Sequence, residues 1–518
     1  MDLLSAIVIL GLIPVAILLA INICLHRSRI GRCVDKIPGP KGLPIIGNYL
    51  DFVVPVDEIF LQLRKFSKQF YPTYKYWILH RPVVNIRHPD DVELILSNIN
   101  TIEKSTHVSL LEPWLNEGLL ISTGDKWRGR RKMLNPAFTN SLLQKFVETF
   151  AEQTERLVRS LKAETSAQDG VAVKNVEQMF SRLSLNIICE TAMGISLDDK
   201  DRDQYAYINA IPVAAQIFQF RFMRPWLSNN WIFSLTKMGK QHDKVLKIIH
   251  GFSGKIIQMR KDYHRANGWR YLEELSEENT QEEIEGKKKN RQRLALLDLL
   301  IAAWKASAID DAGIQEEVDM FVVAGHDTTA TALSFTTLLL AEHKDIQDKC
   351  REEINEVLNG IPMEKITIRE VQRMHYLQQC IKEAMRLYAV APLVSRKVAE
   401  DTKLKDYFVP RGTEVCVHVF DVHRDPHFWP NPDVFDPDRF SPERSKGRHP
   451  YSYLPFGLGP RACIGAKFAM LELKTVMAQL LSNFYLEPVD LIGDARFLMD
   501  AVIRLVDPAH VKLVPIIK

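Results

Sequence analysis

Near the end of the chain, Phe456-Gly457-Leu458-Gly459-Pro460-Arg461-Ala462-Cys463-Ile464-Gly465 encloses one cysteine between glycines, and an apolar helical pattern begins at Ala466. The glycines at 457, 459 and 465 let backbone approach a bulky object closely. A sulfur at the N-terminus of a helix, with Arg461 two residues before it, is a thiol whose ionised form is favoured. With no histidine or second cysteine beside it, such a thiolate does not build a tetrahedral metal site, but it can be the single axial ligand of a haem iron. An apolar-flanked cysteine without that context is most often a packing residue.

A second polar constellation interrupts an otherwise apolar stretch. Ile314 to Leu340 is apolar over much of its length, yet Ala324-Gly325-His326-Asp327-Thr328-Thr329 puts a glycine and four polar side chains in its middle. Glycine and threonine loosen or bend a helix, and a mid-helix threonine ordinarily bonds back to a carbonyl. Something polar should face this point. Two further pairs have helical spacing: Glu383 with Arg386, and Trp127 with Arg131. Each would be unexceptional alone, as a surface ion pair and a packing tryptophan beside a solvated arginine.

Together these residues resemble the cytochrome P-450 superfamily. FGLGPRACIG matches its haem-ligand loop F-G-x-G-x-R-x-C-x-G, a coincidence expected on the order of once in 10^5 chains of this length at about 5% per residue. The resemblance implies a mostly α fold with a small β region, the cytochrome P-450 fold, and Cys463 as the iron ligand. It implies that Glu383, Arg386 and Arg439 (within Pro437-Asp438-Arg439-Phe440) form a buried bracing network. It further implies that Trp127, Arg131, Arg396 and Arg461 hold the haem propionates, with Phe456, Ala324 and Gly325 also bordering the cofactor. Asp327 and Thr328 match the oxygen-activation stretch and are implied to deliver protons while the thiolate favours O–O cleavage. His423 is read as structural.

Within the superfamily the chain looks most like family four, the fatty-acid ω-hydroxylase group, through Pro113-Trp114-Leu115, Gly118-Leu119-Leu120, Arg130-Arg131-Lys132, Arg293 to Leu300 and Gly325-His326-Asp327-Thr328-Thr329. Many members of that group carry a glutamate, esterified to a haem methyl, where this chain has Ala324. The expected cofactor is therefore haem b held without a covalent bond. The implied activity is insertion of one atom of dioxygen into an apolar substrate such as a fatty acid, another lipid or a xenobiotic. Electrons would come from NADPH through a flavoprotein reductase, with cytochrome b5 as a further candidate donor. An oxygen-independent haem-thiolate isomerase or dehydratase is the alternative enzyme, disfavoured by Asp327-Thr328, and a non-catalytic haem sensor is the alternative outside enzymes.

The elements that must position these groups can be read more coarsely. The chain has 518 residues, 46% hydrophobic and 25% charged, enough for one large core, and its net charge of +3 gives no support for nucleic-acid binding. Seven scattered cysteines without a C-x-x-C pair indicate a reducing compartment. Short alternating stretches, Tyr74 to Ile78 and Pro82 to Ile86, predict a small sheet. Helical periodicity marks Leu142 to Leu161, Val176 to Met193, Gln241 to Tyr263 and Arg291 to Ala303, and Glu273 to Lys289 reads as a solvated loop. Leu3 to Leu25 carries no charge and as a helix would span roughly 35 Å, enough for a bilayer core. Basic residues follow it, which predicts a retained anchor over residues 1–26, a basic and Pro-rich hinge over 27–48, and a catalytic domain over 49–518. The expected location is the endoplasmic reticulum membrane, single-pass, with the catalytic domain on the cytoplasmic side. The aromatic and basic segment Ile208 to Leu235 is expected to form a membrane-facing roof over the substrate channel. Arg128, Arg130, Lys132, Lys446, Arg448 and Lys467 are expected to offer a basic patch to an acidic reductase.

Overall fold

Asp310 caps the central helix, Asp311–Glu342, by accepting a bond of 2.8 Å from the Gly313 amide. A helix this long and apolar on every side must be enclosed by others. The helices Val176–Thr191, Lys237–Ala266, His375–Leu387 and Ala466–Asn483 pack around it. Gly325 permits a close crossing: a Cβ there would lie 2.5 Å from the Ile188 side chain, which fills the space the missing side chain leaves. The helix Ala466–Asn483, which follows the cysteine loop, is buried along most of its length, with Phe468 wedged edge-on between Phe146 and Phe150 of the helix Asn140–Ala167.

The computed structural model describes residues 3–101, 103–167, 170–197, 202–270, 272 and 295–516, with side chains from Leu12 onward. The expected loop Glu273 to Lys289 and the start of the expected helix at Arg291 lie outside the described residues; the helix itself runs Leu296–Lys305. The expected sheet is present. Thr73–Ile78 pairs antiparallel with Arg81–Ile86, which pairs in parallel with Glu414–Val417, and Val394–Lys397 closes the far edge antiparallel to that strand. This last strand carries Arg396. A small hairpin, Phe497–Met499 with Ile503–Leu505, reaches back toward the central helix.

Leu3–Arg27 is helical, but side chains before Leu12 lie outside the description, and among the described residues no helix is long and apolar enough to cross a membrane. The roof segment is a helix over Arg202–Phe222 followed by a turn at Pro225–Leu227 and a short helix at Asn230–Ser234. Its loop is organised from within. Arg221, buried, donates to the carbonyls of Leu227 and Ser228 and to Asn230 and lies under the Phe233 ring, while Trp226 and Trp231 remain 51% and 71% exposed. Trp226 meets Tyr49, the residue just after the Pro-rich hinge, at 5.2 Å.

The basic patch needs correction. Arg130 turns inward to Glu316 at 3.4 Å because it finds a carboxylate there, and Arg448 donates to the Arg439 carbonyl and stacks on Trp429 because it finds an acceptor and an aromatic ledge. Arg128, Lys132, Lys446 and Lys467 stay at the surface, with Arg128 paired to Asp125.

Candidate active site

The cysteine loop is shaped by two glycines in left-handed conformations, Gly457 at φ 65° and Gly459 at φ 79°. At Gly459 a Cβ would sit 2.0 Å from the Leu96 carbonyl, so no other residue fits that crossing. The loop closes on itself through the Cys463 amide, which donates to the Phe456 carbonyl at 2.9 Å, and Arg131 anchors it from outside by donating to the Ala462 carbonyl at 3.0 Å. Cys463 is solvent-accessible, yet protein surrounds it on most sides, so its sulfur lies at the floor of a recess. Desolvation raises the thiol above its ordinary range, while the Gly465 amide and Arg131 act in the opposite direction. A bound metal would remove that proton outright.

The central helix leaves one face open. From Val318 to Ala341 every residue is buried except Val323, Ala324, Gly325 and Thr328, so the face carrying Ala324 and Thr328, four residues apart, borders open space. The helix does not break there. Thr328 donates to the Ala324 carbonyl at 2.7 Å, Thr329 to Gly325 at 2.7 Å and Thr331 to Asp327 at 2.8 Å, which satisfies each hydroxyl within the helix. His326 turns away and bonds the Val322 carbonyl at 2.8 Å.

Asp327 points to the hairpin rather than to open space. Arg504 grips it with two bonds of 2.9 and 2.6 Å and also holds Asp500 at 2.8 Å. Burial opposes ionisation of Asp327, but Arg504 outweighs it and keeps the carboxyl below its ordinary range. Glu177, which accepts from the Leu505 amide at 3.3 Å, is pushed upward by burial and by the neighbouring Asp327 and Asp500. Nothing in the sequence pattern connects residue 327 with residues 500 and 504.

A cluster of cations gathers at the rim of the recess. Arg461 donates to the Leu119 carbonyl at 3.1 Å and to that of Ser122, and lies 4.5 Å over the Trp127 ring. Arg396 is buried with one bond to the Ser395 carbonyl, and Lys104 joins them. Desolvation, reinforced by repulsion from Arg396 and Arg131, lowers Arg461 to about 9. Desolvation alone lowers Arg396 to about 10, and desolvation with repulsion from Arg396 and Arg461 lowers Lys104 well below its usual range. Among the described residues neither Lys104 nor Arg396 has a carboxylate at ion-pair distance, an arrangement that costs free energy unless an anion joins it. A cofactor that carries carboxylates and takes a sulfur ligand is what this donor set would fit. Lys104 escaped the sequence reading because no local motif contains it.

Behind the loop, Glu383 accepts two bonds of 2.7 Å from Arg386, one of 3.2 Å from Arg439 and one of 3.0 Å from the Asp436 amide, with all three charged side chains buried. Arg386 also donates to the carbonyls of His423, Pro432 and Val434. These bonds join Glu383, Arg386 and Arg439. His423 is a buried structural residue: it accepts from the Leu454 amide at 2.6 Å, and desolvation with Arg386 nearby lowers it to about 3.

A sequence profile described as cytochrome P450 matches residues 37–509. Cytochrome P450 4c3 of Drosophila melanogaster is 36% identical over 95% of this chain and 91% of its own length. Cytochrome P450 4V2 of Homo sapiens is 36% identical over 86% of this chain and 83% of its own. Cytochrome P450 4c21 of Blattella germanica is 35% identical over 92% and 93%.

Proposed function

The chain belongs to the cytochrome P450 family and is a haem-thiolate monooxygenase; on that premise we propose that it hydroxylates fatty acids or closely related lipids, with electrons from an NADPH-dependent flavoprotein reductase. Bound haem supplies the two-electron activation of dioxygen that leaves one oxygen atom in the substrate and one in water. Cys463 would ligate the iron, and Arg131, Arg396, Arg461 and Trp127, with Lys104 beside them, would hold the carboxylates. Ala324 lies at the cofactor edge without a nucleophile, so the haem b is bound by contacts and ligation alone. Phe456 and Gly325 complete the lining, and Glu383, Arg386 and Arg439 brace the loop from behind.

Thr328 offers the hydroxyl nearest the open face of the central helix, where it can accept or pass a proton. Asp327, one residue away, is held ionised by Arg504 on the hairpin side, so it would exchange a proton with that face only on release from Arg504. The observation that carries this reading is that one chain combines an accessible cysteine at a helix N-terminus, a cation cluster without carboxylate partners on Lys104 and Arg396, and Thr328 on an open helix face.

Leu3 to Leu25 anchors the chain in the endoplasmic reticulum membrane with the domain from residue 49 on the cytoplasmic side, and the exposed Trp226, Trp231 and Leu235 rest against the same membrane. Lys132, Lys446 and Lys467 face the reductase. The test is turnover of a fatty-acid panel by the reconstituted protein. Hydroxylated product that requires reductase, NADPH and dioxygen is the expected result. Turnover of a lipid peroxide without reductase would assign an isomerase or dehydratase, and haem binding without turnover on any substrate would leave a sensor.

A further inference from the structure

The first turns of the central helix carry Glu316, Glu317 and Asp319, and three of their contacts run to one loop. Gly118 lies directly on the helix, where a Cβ would be 2.7 Å from the Glu316 carbonyl. Glu317, with no solvent exposure, accepts from the Leu119 amide at 3.1 Å, with Arg130 at 3.8 Å. Asp319, equally buried, accepts from the Asn116 side chain at 3.1 Å and from Gln315 at 2.9 Å. His250, from the helix Lys237–Ala266, reaches the same loop at the Trp114 carbonyl, 2.9 Å away, and stands 3.7 Å from Asp319. On its far side the loop offers the carbonyls of Leu119 and Ser122 to Arg461.

Leu119 is thus held at both ends of one peptide-bonded residue: its N–H is fixed by Glu317 and its C=O fixes Arg461. We propose that Glu317 and Asp319 are positioning residues that pin the loop 114–122 to the central helix and thereby aim the Arg461 guanidinium at the cofactor's carboxylate. Neither touches the cofactor; they act through the loop backbone. The geometry needs an acceptor at 317 and 319 rather than a negative charge. Both accept from neutral N–H donors, of Leu119, Asn116 and Gln315, so a neutral acceptor of the same shape serves as well, and burial raises both carboxyls above their ordinary range. The inference rests on the assignment of the recess to haem.

The experiment is haem transfer from the ferric holoprotein to excess apomyoglobin, followed spectrally. Glu317→Ala and Asp319→Ala are expected to release haem faster, by about tenfold, as loss of a hydrogen bond in a charged network implies. Glu317→Gln and Asp319→Asn, which keep an oxygen acceptor, should release it within about twofold of wild type on the same reasoning. Asn116→Gly removes the tether from the loop side while tolerating the positive φ of 48° at that residue, and it serves where an alanine variant does not fold. Adding Glu317→Ala to Arg461→Ala should produce little further acceleration, because both cut the same path. Release at the wild-type rate from Glu317→Ala and Asn116→Gly, or full additivity with Arg461→Ala, would overturn the proposal. Failure of the haem assignment itself is distinguishable: wild-type protein would then lack the red-shifted carbon monoxide band of a thiolate-ligated haem.

Discussion

Arg504→Met should be among the most damaging single changes outside the cysteine loop. The guanidinium makes two bonds to Asp327, of 2.9 and 2.6 Å, and one of 2.8 Å to Asp500, in a setting where side chains of all three are at most 15% exposed. Methionine fills the volume but leaves Asp327 and Asp500 facing each other without a cation, with Glu177 nearby. Breaking a buried pair from one side costs about 3–5 kcal/mol, because the remaining charge stays desolvated. Removing the Asp327 charge as well, as Asp327→Asn with Arg504→Met, leaves only Asp500 without its cation and should recover part of the loss. Urea unfolding of the holoprotein at pH 7.5, read by tryptophan fluorescence, measures both legs. The pH sign follows from the shift. Asp327 lies below its ordinary range in the native protein, so the pair's stabilisation is present above the unfolded carboxyl pKa and is lost as pH falls through the native one. In Arg504→Met, Asp327 is raised instead, so the gap between variant and wild type narrows on acidification from pH 7.5 to 5.5. A loss below about 1 kcal/mol, additive with Asp327→Asn, would refute the reasoning, since an exposed pair behaves that way.

Three further outcomes are expected. Glu472, buried between Ser184 and Thr329, is raised to about 8 chiefly by burial. The native state keeps a proton that the unfolded chain releases, so wild-type stability falls as pH rises through that window, and Glu472→Gln should flatten the decline by roughly 2 kcal/mol between pH 5.5 and 7.5; parallel curves in urea unfolding would remove Glu472 as the titrating group. Acidified organic solvent should extract all haem from the polypeptide, since Ala324 offers no ester oxygen, and a haem-bearing band after denaturing electrophoresis would contradict this. Gly459→Ala places a Cβ 2.0 Å from the Leu96 carbonyl at φ 79°, so the loop must shift; destabilisation of about 2 kcal/mol or more, with loss of the red-shifted carbon monoxide band, is the expected result, and a normal spectrum would show that the crossing is more tolerant than its geometry.

Much of the site was legible because its parts are local. Cys463 with its glycines, Glu383 with Arg386, and Trp127 with Arg131 are each defined by spacing along one loop or one helix, and spacing along an element fixes which side chains share a face. The small sheet and the principal helices followed from periodicity for the same reason. What faces each group was another matter. The spacing of Arg128 to Lys132 separates faces of a helix, but it carries no information that Glu316 waits opposite Arg130, and so an inward arginine was read as a surface one. Lys104 belongs to no motif, and its place in the cation cluster arises from a loop folding against the strand of Arg396.

The chain alone therefore specified the chemistry on offer: a thiolate, a set of arginines, a hydroxyl and a carboxylate, each tied to a helix or turn by neighbours a few residues away. Packing assigned the partners. Asp327 meets Arg504 across 177 residues, and Glu317 meets Leu119 across 198, through a hairpin and a loop that approach the central helix only once the core has formed. Burial then set the charges, raising Glu472 and Glu317 and holding Asp327 ionised, because a carboxyl's proton affinity depends on the water and ions around it and not on its sequence neighbours.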